Sequence, residues 1–207
     1  MGYLSVDDAP ARMSQEHESV ELVGDETVGY FAKAVLIAAL TAVLAQLSVP
    51  YPFSPAPISF QVIGVYLAGL LLGPLWGGFS FTLYLLVGAL GAPVFANGGS
   101  GLAYLAGPTG GFLLSYVLAA VLIGAIVHRD LKPRPLSDSS VAVQTVALFA
   151  GLAVIYVVGA PRLAQVQGWS LTRGFIAGAI VFIPGDIVKI AATMALVRGG
   201  HLADLVE

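Results

Sequence analysis

The chain has 207 residues, of which 57% are hydrophobic and 10% charged, with a mean hydropathy of +0.89 and a formal net charge of −3. That balance lies far outside soluble globular averages and inside the membrane class, which excludes a cytosolic enzyme, a nucleic-acid binder and a receptor with a large ectodomain. Six spans of about 20 residues, each crossing a hydrocarbon core roughly 30 Å thick, would absorb nearly all of the apolar content. Cysteine is absent, which removes disulfides, thiolate metal sites and a Cys nucleophile.

The first 28 residues hold seven of the twelve acids (Asp7, Asp8, Glu16, Glu18, Glu21, Asp25, Glu26) against one base, Arg12. No basic region precedes an apolar run, so this is not a signal peptide; residues 1–28 read as an acidic, disordered cytoplasmic leader. A membrane domain is expected over 29–200 and a short tail over 201–207. Apolar runs between Pro, Gly and charge punctuation predict an all-α protein with six transmembrane helices near 31–49, 58–75, 77–95, 109–127, 141–159 and 174–197. The second run is the shortest. Between the second and third, Gly73-Pro74-Leu75-Trp76-Gly77-Gly78 leaves room only for a tight turn, so these helices are expected to be antiparallel neighbours.

Lys and Arg near the span ends set the expected orientation. With a cytoplasmic N-terminus, Arg12, Lys33, Arg129, Lys132, Arg134 and Arg198 lie inside and Arg162 and Arg173 outside, so both termini are expected in the cytoplasm of a multi-pass plasma-membrane protein. The outward loops 49–57, 92–108 and 160–173 are poor in charge. The first two are rich in Pro, Gly and aromatics and read as ordered caps. GPLWGGF at 73–79 and GPTGGF at 107–112 share helix punctuation without extending into a repeat.

Ionisable groups inside a bilayer are costly and therefore functional candidates, and the spans contain two, Asp186 and Lys189. Three residues apart, they project from one helical face and can pair. They either seal the bundle as a structural ion pair or grip a polar ligand. Pro184-Gly185 just before the acid favours a kink or local unwinding there. In the third loop, Asn97, Gly98 and Gly99 offer a two-sided amide and unshielded backbone N–H groups, with Tyr104 and Phe95 as walls; the alternative is a glycine-rich turn packed on helix ends. Gln61, after the proline loop, either reads a ligand or ties that loop down. Gln46, Tyr66 and Tyr84 read as packing and interhelical hydrogen bonds. Ala34, Ala38 and Ala42 form a small-residue strip on span one that either packs internally or docks a partner subunit. Gly69, Gly73 and Gly77, and Gly174 with Gly178, read as internal close contacts. His17, His128 and His201 are expected outside the spans. With one intramembrane acid and neither Cys nor a His pair, no catalytic dyad or metal site can be assembled, so catalytic and metal residues are none and the chain is not read as an enzyme. No phosphate loop is present, so the chain itself binds no ATP by any visible motif.

PAPISFQVIGVYLAGLLLGPLWGG, LYLLVGALGAPVFANGG, AGPTGGFLLSY and FIPGDIVKIAATMAL, in this order and spacing, resemble BioY, the biotin-binding S component of energy-coupling factor (ECF) transporters. The resemblance covers roughly Phe31 to Gly199. Phe112 departs from it, standing where a Tyr is expected after GPTGG, and the acidic leader lies outside it. It implies six helices and an extracellular pocket for biotin roofed by the first and third loops, with Asp186, Lys189, Asn97 and Gln61 contributing to binding. It also implies a coupling transmembrane subunit met by the first helix and its alanine strip, and two ABC-type ATPase subunits that use the ATP. The chain itself is expected to hold no cofactor and to contact membrane lipid but no nucleic acid. A solitary biotin transporter and an S component for another vitamin are the alternatives.

Overall fold

The structure, a computed structural model, describes residues 24–199, so the disorder expected for the leader up to residue 23 and the tail at 201–207 lie outside the described residues. Seven α-helices and one β-hairpin follow in chain order: α1 (Asp25–Gln46), β1 (Ser48–Tyr51), β2 (Ser54–Ser59), α2 (Gln61–Ala89), α3 (Gly101–Ala106), α4 (Gly110–His128), α5 (Val141–Gln167), α6 (Leu171–Gly178) and α7 (Ile183–Arg198). Residues 25–28, assigned to the leader by composition, are the first turn of α1, and their acids Asp25 and Glu26 sit where a helix dipole favours negative charge.

Among the described residues, five helical stretches are long and apolar enough to cross a membrane, and one of them, Gln61–Ala89, is two helices. Gly73 carries φ 70 and ψ −173, a conformation that suits glycine, and Pro74 follows it. Gln61 Nε2 donates to the Tyr84 hydroxyl at 2.6 Å, although 23 residues of straight helix would separate them by about 34 Å. A Cβ on Gly77 would likewise lie 2.9 Å from the Ala68 carbonyl oxygen. The arms 61–72 and 74–89 therefore fold back as an antiparallel hairpin, completing six membrane helices. The boundary at the first arm differs from expectation: it starts at Gln61, because residues 54–59 are strand.

The proline-rich stretch expected as an ordered cap is a pair of strands. β1 and β2 pair antiparallel through Ser48↔Ser59, Val49↔Ile58 and Tyr51↔Ser54. The register is irregular between Val49 and Tyr51, where Pro50 has no N–H to give the ladder. The hairpin ends α1 at Gln46, short of the expected 49. Gln46 Nε2 ties that end to the Pro93 and Phe95 carbonyls at 3.3 and 3.4 Å.

The first arm of α2 is buried along nearly its whole length, as a helix surrounded by others must be. Small residues let its neighbours approach. Ser80 on the second arm donates to the Ala34 carbonyl of α1 at 2.8 Å, and a Cβ on Gly64 would overlap Thr41. On the other side Gly69 lies against Ile123 and Ala120 of α4, and Gly124 of α4 lies against the Gly73–Pro74 backbone. Gly174 and Gly178 seat α6 on Ala160 and Ala164 of α5. The contacts at Gly69, Gly174 and Gly178 are ones the sequence suggested, those at Gly64 and Gly124 are additional, and all use dispersion at close range where no hydrophobic effect is available between lipid-bathed helices.

The alanine strip is spent in the same way. Ala34 and Ala38 are 0% and 7% exposed, and Ala42 is half-buried against the same core. Offered above as a docking surface, the strip packs internally; the outward side of α1 carries Val35, Leu36, Leu40 and Val43 instead.

At the end away from the β-hairpin, His128 closes α4. It is buried, one residue inside the helix rather than beyond it. Its Nδ1 accepts the Arg134 backbone N–H at 2.9 Å, so Nε2 carries the hydrogen and donates to the Leu70 carbonyl at 3.0 Å. That carbonyl would normally accept from residue 74, which is Pro74 and has no N–H. The imidazole thus satisfies the group that the hairpin turn orphans.

α5 runs to Gln167, eight residues past the expected end, with Pro161 inside it, so most of the loop expected at 160–173 is helix. The last span is interrupted: Ala179 (φ −135, ψ −65) and a 3₁₀ turn at Ile180–Phe182 separate α6 from α7. Pro184 occupies the opening of α7, where a missing N–H costs least. The expected kink at Pro184-Gly185 is therefore a break placed just before them.

A Cβ on Gly124 would lie 2.4 Å from backbone atoms of Gly73 and Pro74, whereas one on Gly29 of α1 meets nothing within 4 Å. Gly124→Ala is expected to destabilise the detergent-solubilised protein by about 1–3 kcal/mol, the range for overpacking. Gly29→Ala should be neutral or slightly stabilising. Thermal unfolding of both variants beside the parent checks this.

Candidate binding site

The break before α7 positions the site. Because the helix restarts at Ile183, Asp186 falls in its first turn, where exposed backbone N–H groups favour a carboxylate, and Lys189 stands one turn further on the same face. Lys189 Nζ lies 2.8 Å from Asp186 Oδ1, with the two residues only 7% and 5% exposed. Tyr156 of α5 donates its hydroxyl to Asp186 Oδ2. Both carboxylate oxygens are thus engaged, one by a cation and one by a neutral phenol from another helix. Lys189 Nζ also stands 5.9 Å from the centroid of the Phe60 ring, within cation–π range. The pair sums to zero charge, and Lys189 keeps donors beyond the one given to Asp186.

Asp186, Lys189 and Tyr156 line a cleft at the β-hairpin end of the bundle, about 590 Å³ of space including its mouth. Ala56, Pro57 and Ser59 of β2, with Tyr104 and Thr109, form one side of it. Phe112, Leu113, Tyr116, Ile155 and Phe182 supply mostly apolar walls. A few polar groups converging in an apolar concavity is the arrangement that small-molecule sites use.

The structure brings some of the sequence candidates together and leaves others apart. Gln61 lines the cleft and is 3% exposed. Its Oε1 accepts from Ser59 Oγ at 3.1 Å and its Nε2 donates to Tyr84, which itself donates to the Val94 carbonyl at 2.7 Å. It therefore ties the loop down while lining the cleft. Tyr104 also lines it, with its hydroxyl donating to the Ala96 carbonyl at 3.1 Å. Burial lifts the Tyr104 phenol pKa above its ordinary value, so it stays a neutral donor.

Phe95, expected as a wall, is fully buried behind Tyr104, its ring stacked on that tyrosine at 5.3 Å between centroids. It supports the wall without touching the cleft. Asn97 is a second difference. It is exposed, in the left-handed region at φ 56, and borders an adjoining groove with Pro55 and Gly99 that shares Pro57, Ala96, Tyr104 and Thr109 with the cleft. Gly98 is exposed on the same turn, and Gly99 leaves space that the Tyr104 ring fills, since a Cβ there would lie 2.1 Å from it. The loop thus shapes the roof through packing, and the Asn97 amide stands outside the main cleft.

Sequence reasoning missed Tyr156, Tyr116, Phe112, Thr109 and Ser59 as lining residues. For Tyr156 a signal existed: a phenol within a long apolar span needs a polar partner, and an intramembrane acid was the one at hand. Tyr66, read as making an interhelical hydrogen bond, is fully buried with no hydrogen-bond partner among the described residues.

Removing one member of a buried ion pair strands the other's charge. Lys189→Met alone is therefore expected to lower thermal stability more than the double variant Asp186→Asn/Lys189→Met, which removes both charges. Melting curves of the two variants in one detergent decide it; equal stability would mean that water already solvates the pair.

A model of the BioY family matches residues 14–204. The biotin transporter BioY of Rhizobium etli is 36% identical over 173 residues, covering 79% of this chain and 90% of that protein. The biotin transporter BioY of Thermotoga maritima is 34% identical over 166 residues, 79% of this chain and 92% of that one. Among solved structures, the S-component for biotin from an ECF-type ABC transporter superposes with a TM-score of 0.77 at 28% identity, covering 86% of this chain and 93% of the other. Matched over most of its length by the family model and by relatives above 30% identity, the chain belongs to the BioY family.

Proposed function

We propose that this multi-pass membrane protein is the biotin-capturing S component of a vitamin uptake transporter. The observation that carries the reading is the Asp186–Lys189 pair, 2.8 Å apart, lining an otherwise largely apolar cleft. Biotin presents a ureido ring with two N–H donors and a carbonyl acceptor, an uncharged group with both polarities. Asp186 offers lone pairs to the donors, and Lys189 and Gln61 offer hydrogens to the carbonyl. Phe112, Leu113, Ile155 and Phe182 suit the thioether ring and the aliphatic chain. The names of the relatives agree with this assignment.

In this reading both termini lie in the cytoplasm and the β-hairpin end faces outward, in accord with the distribution of Lys and Arg. A coupling transmembrane subunit, met by the outward side of α1, and two ABC-type ATPases supply the energy. The chain holds no cofactor, and ATP is used by the ATPase subunits.

Detergent-purified protein is expected to bind biotin and to prefer it over thiamin and riboflavin in competition. Asp186→Asn should weaken biotin binding at least tenfold, equivalent to about 1.4 kcal/mol. Well-folded protein that ignores biotin would overturn the reading. Loss of folded protein with unchanged affinity in the remainder would make the pair purely structural.

A further inference from the structure

The Asp186 carboxylate meets the cleft with both oxygens already occupied, by donors of unequal cost to remove. Lys189 sits three residues along the same helix and balances the charge, so withdrawing it would strand a carboxylate in a buried setting. Tyr156 is neutral, comes from α5, and lines the cleft half-buried; among the described residues its hydroxyl bonds to Asp186 alone. It can leave without changing the charge of the site. A ligand N–H arriving at Asp186 Oδ2 restores the bond the phenol gives up, one donor for another. The buried Tyr66 hydroxyl, without a hydrogen-bond partner among the described residues, belongs to the first arm of α2.

We propose that the Tyr156 hydroxyl is a built-in stand-in for a ligand N–H on Asp186, exchanged when ligand binds, and that it thereby sets how sharply the site discriminates among cyclic ureas and their analogues. This rests on the assignment of Asp186 as the acceptor for the ureido ring. When the ligand lacks the exchanging N–H, Tyr156 keeps its bond and the carboxylate oxygen stays satisfied, so the missing donor is penalised only mildly. Without the phenol the same ligand leaves that oxygen buried and unpaired, and the penalty appears in full. Tyr156 is thus a specificity-determining residue that makes the site more tolerant, not one that adds affinity for the best ligand.

The test is a cycle between residue and ligand. Affinities for biotin and for its cyclic carbamate analogue, in which oxygen replaces the ureido N–H directed at Asp186, are measured for the parent, Tyr156→Phe and Tyr156→His. Exchange predicts that the biotin-to-carbamate affinity ratio rises about tenfold in Tyr156→Phe and returns toward the parental value in Tyr156→His, which regains a donor. An unchanged or smaller ratio in Tyr156→Phe overturns the proposal while leaving biotin capture intact; failure of the parent to bind biotin overturns both. Should Tyr156→Phe not fold, a biotin-bound structure of the parent decides: exchange places the Tyr156 hydroxyl beyond hydrogen-bond distance of Asp186, and a retained bond refutes it.

Discussion

A carboxylate and an ammonium held 2.8 Å apart inside a membrane bundle constrain everything around them. Each charge alone would cost several kcal/mol in that setting, and their mutual attraction offsets this only with good geometry and additional hydrogen bonds. The structure meets the first condition with an i, i+3 spacing on α7 and the second with the phenol from α5. Both depend on where α7 begins. Had the last span run unbroken from Leu171, Asp186 would lie in mid-helix, away from the unpaired backbone donors of a first turn; the interruption at 179–182 gives it that position.

A pair that must face a ligand rather than lipid needs a cleft, and the cleft depends on the shortness of the first arm of α2. Twelve residues rise about 18 Å, less than a hydrocarbon core. The arm starts beneath β2 instead of passing beside it, so Gln61 and Val62 border a space that β2 roofs. The reversal at Gly73 makes that short helix possible, and it leaves the Leu70 carbonyl without its helical donor. His128 repairs this at the opposite end of the bundle from the site. A glycine, a proline and a histidine well removed from the ion pair in sequence are in this sense part of how the cleft is built.

The membrane class, the helix count, the antiparallel turn at Gly73 and the Asp186–Lys189 pairing were legible in the sequence because each rests on a local rule: apolar run length, Pro-Gly punctuation, or helical spacing. The features that were not legible depend on neighbours distant in sequence. A proline-rich stretch at 49–57 gives no strand signal, yet it pairs as a hairpin once α1 and α2 fix its ends. The span expected to end at 159 runs on through Pro161 to Gln167, where α5 packs on α4 and α6. The alanine strip at Ala34, Ala38 and Ala42 has a spacing that serves internal and external contacts equally, and only the placement of the α2 hairpin decides between them. Asn97 lines the adjoining groove and not the cleft itself for a related reason: a side chain in the left-handed region is placed by its turn, which composition does not encode.

The same reasoning bears on which part of a ligand the pair addresses. Asp186 and Lys189 already neutralise one another, so an anionic group placed there would have to pull Lys189 from its partner and leave the acid buried beside a second negative charge. A neutral group that both donates and accepts meets no such cost, since it can bond to both members of the pair without disturbing their charge balance. A ligand with an uncharged polar head and a charged tail is therefore best accommodated head first, its tail toward the wetter mouth. In the proposed reading it is the charge neutrality of the pair, more than the identity of either residue, that suits the site to a cyclic urea.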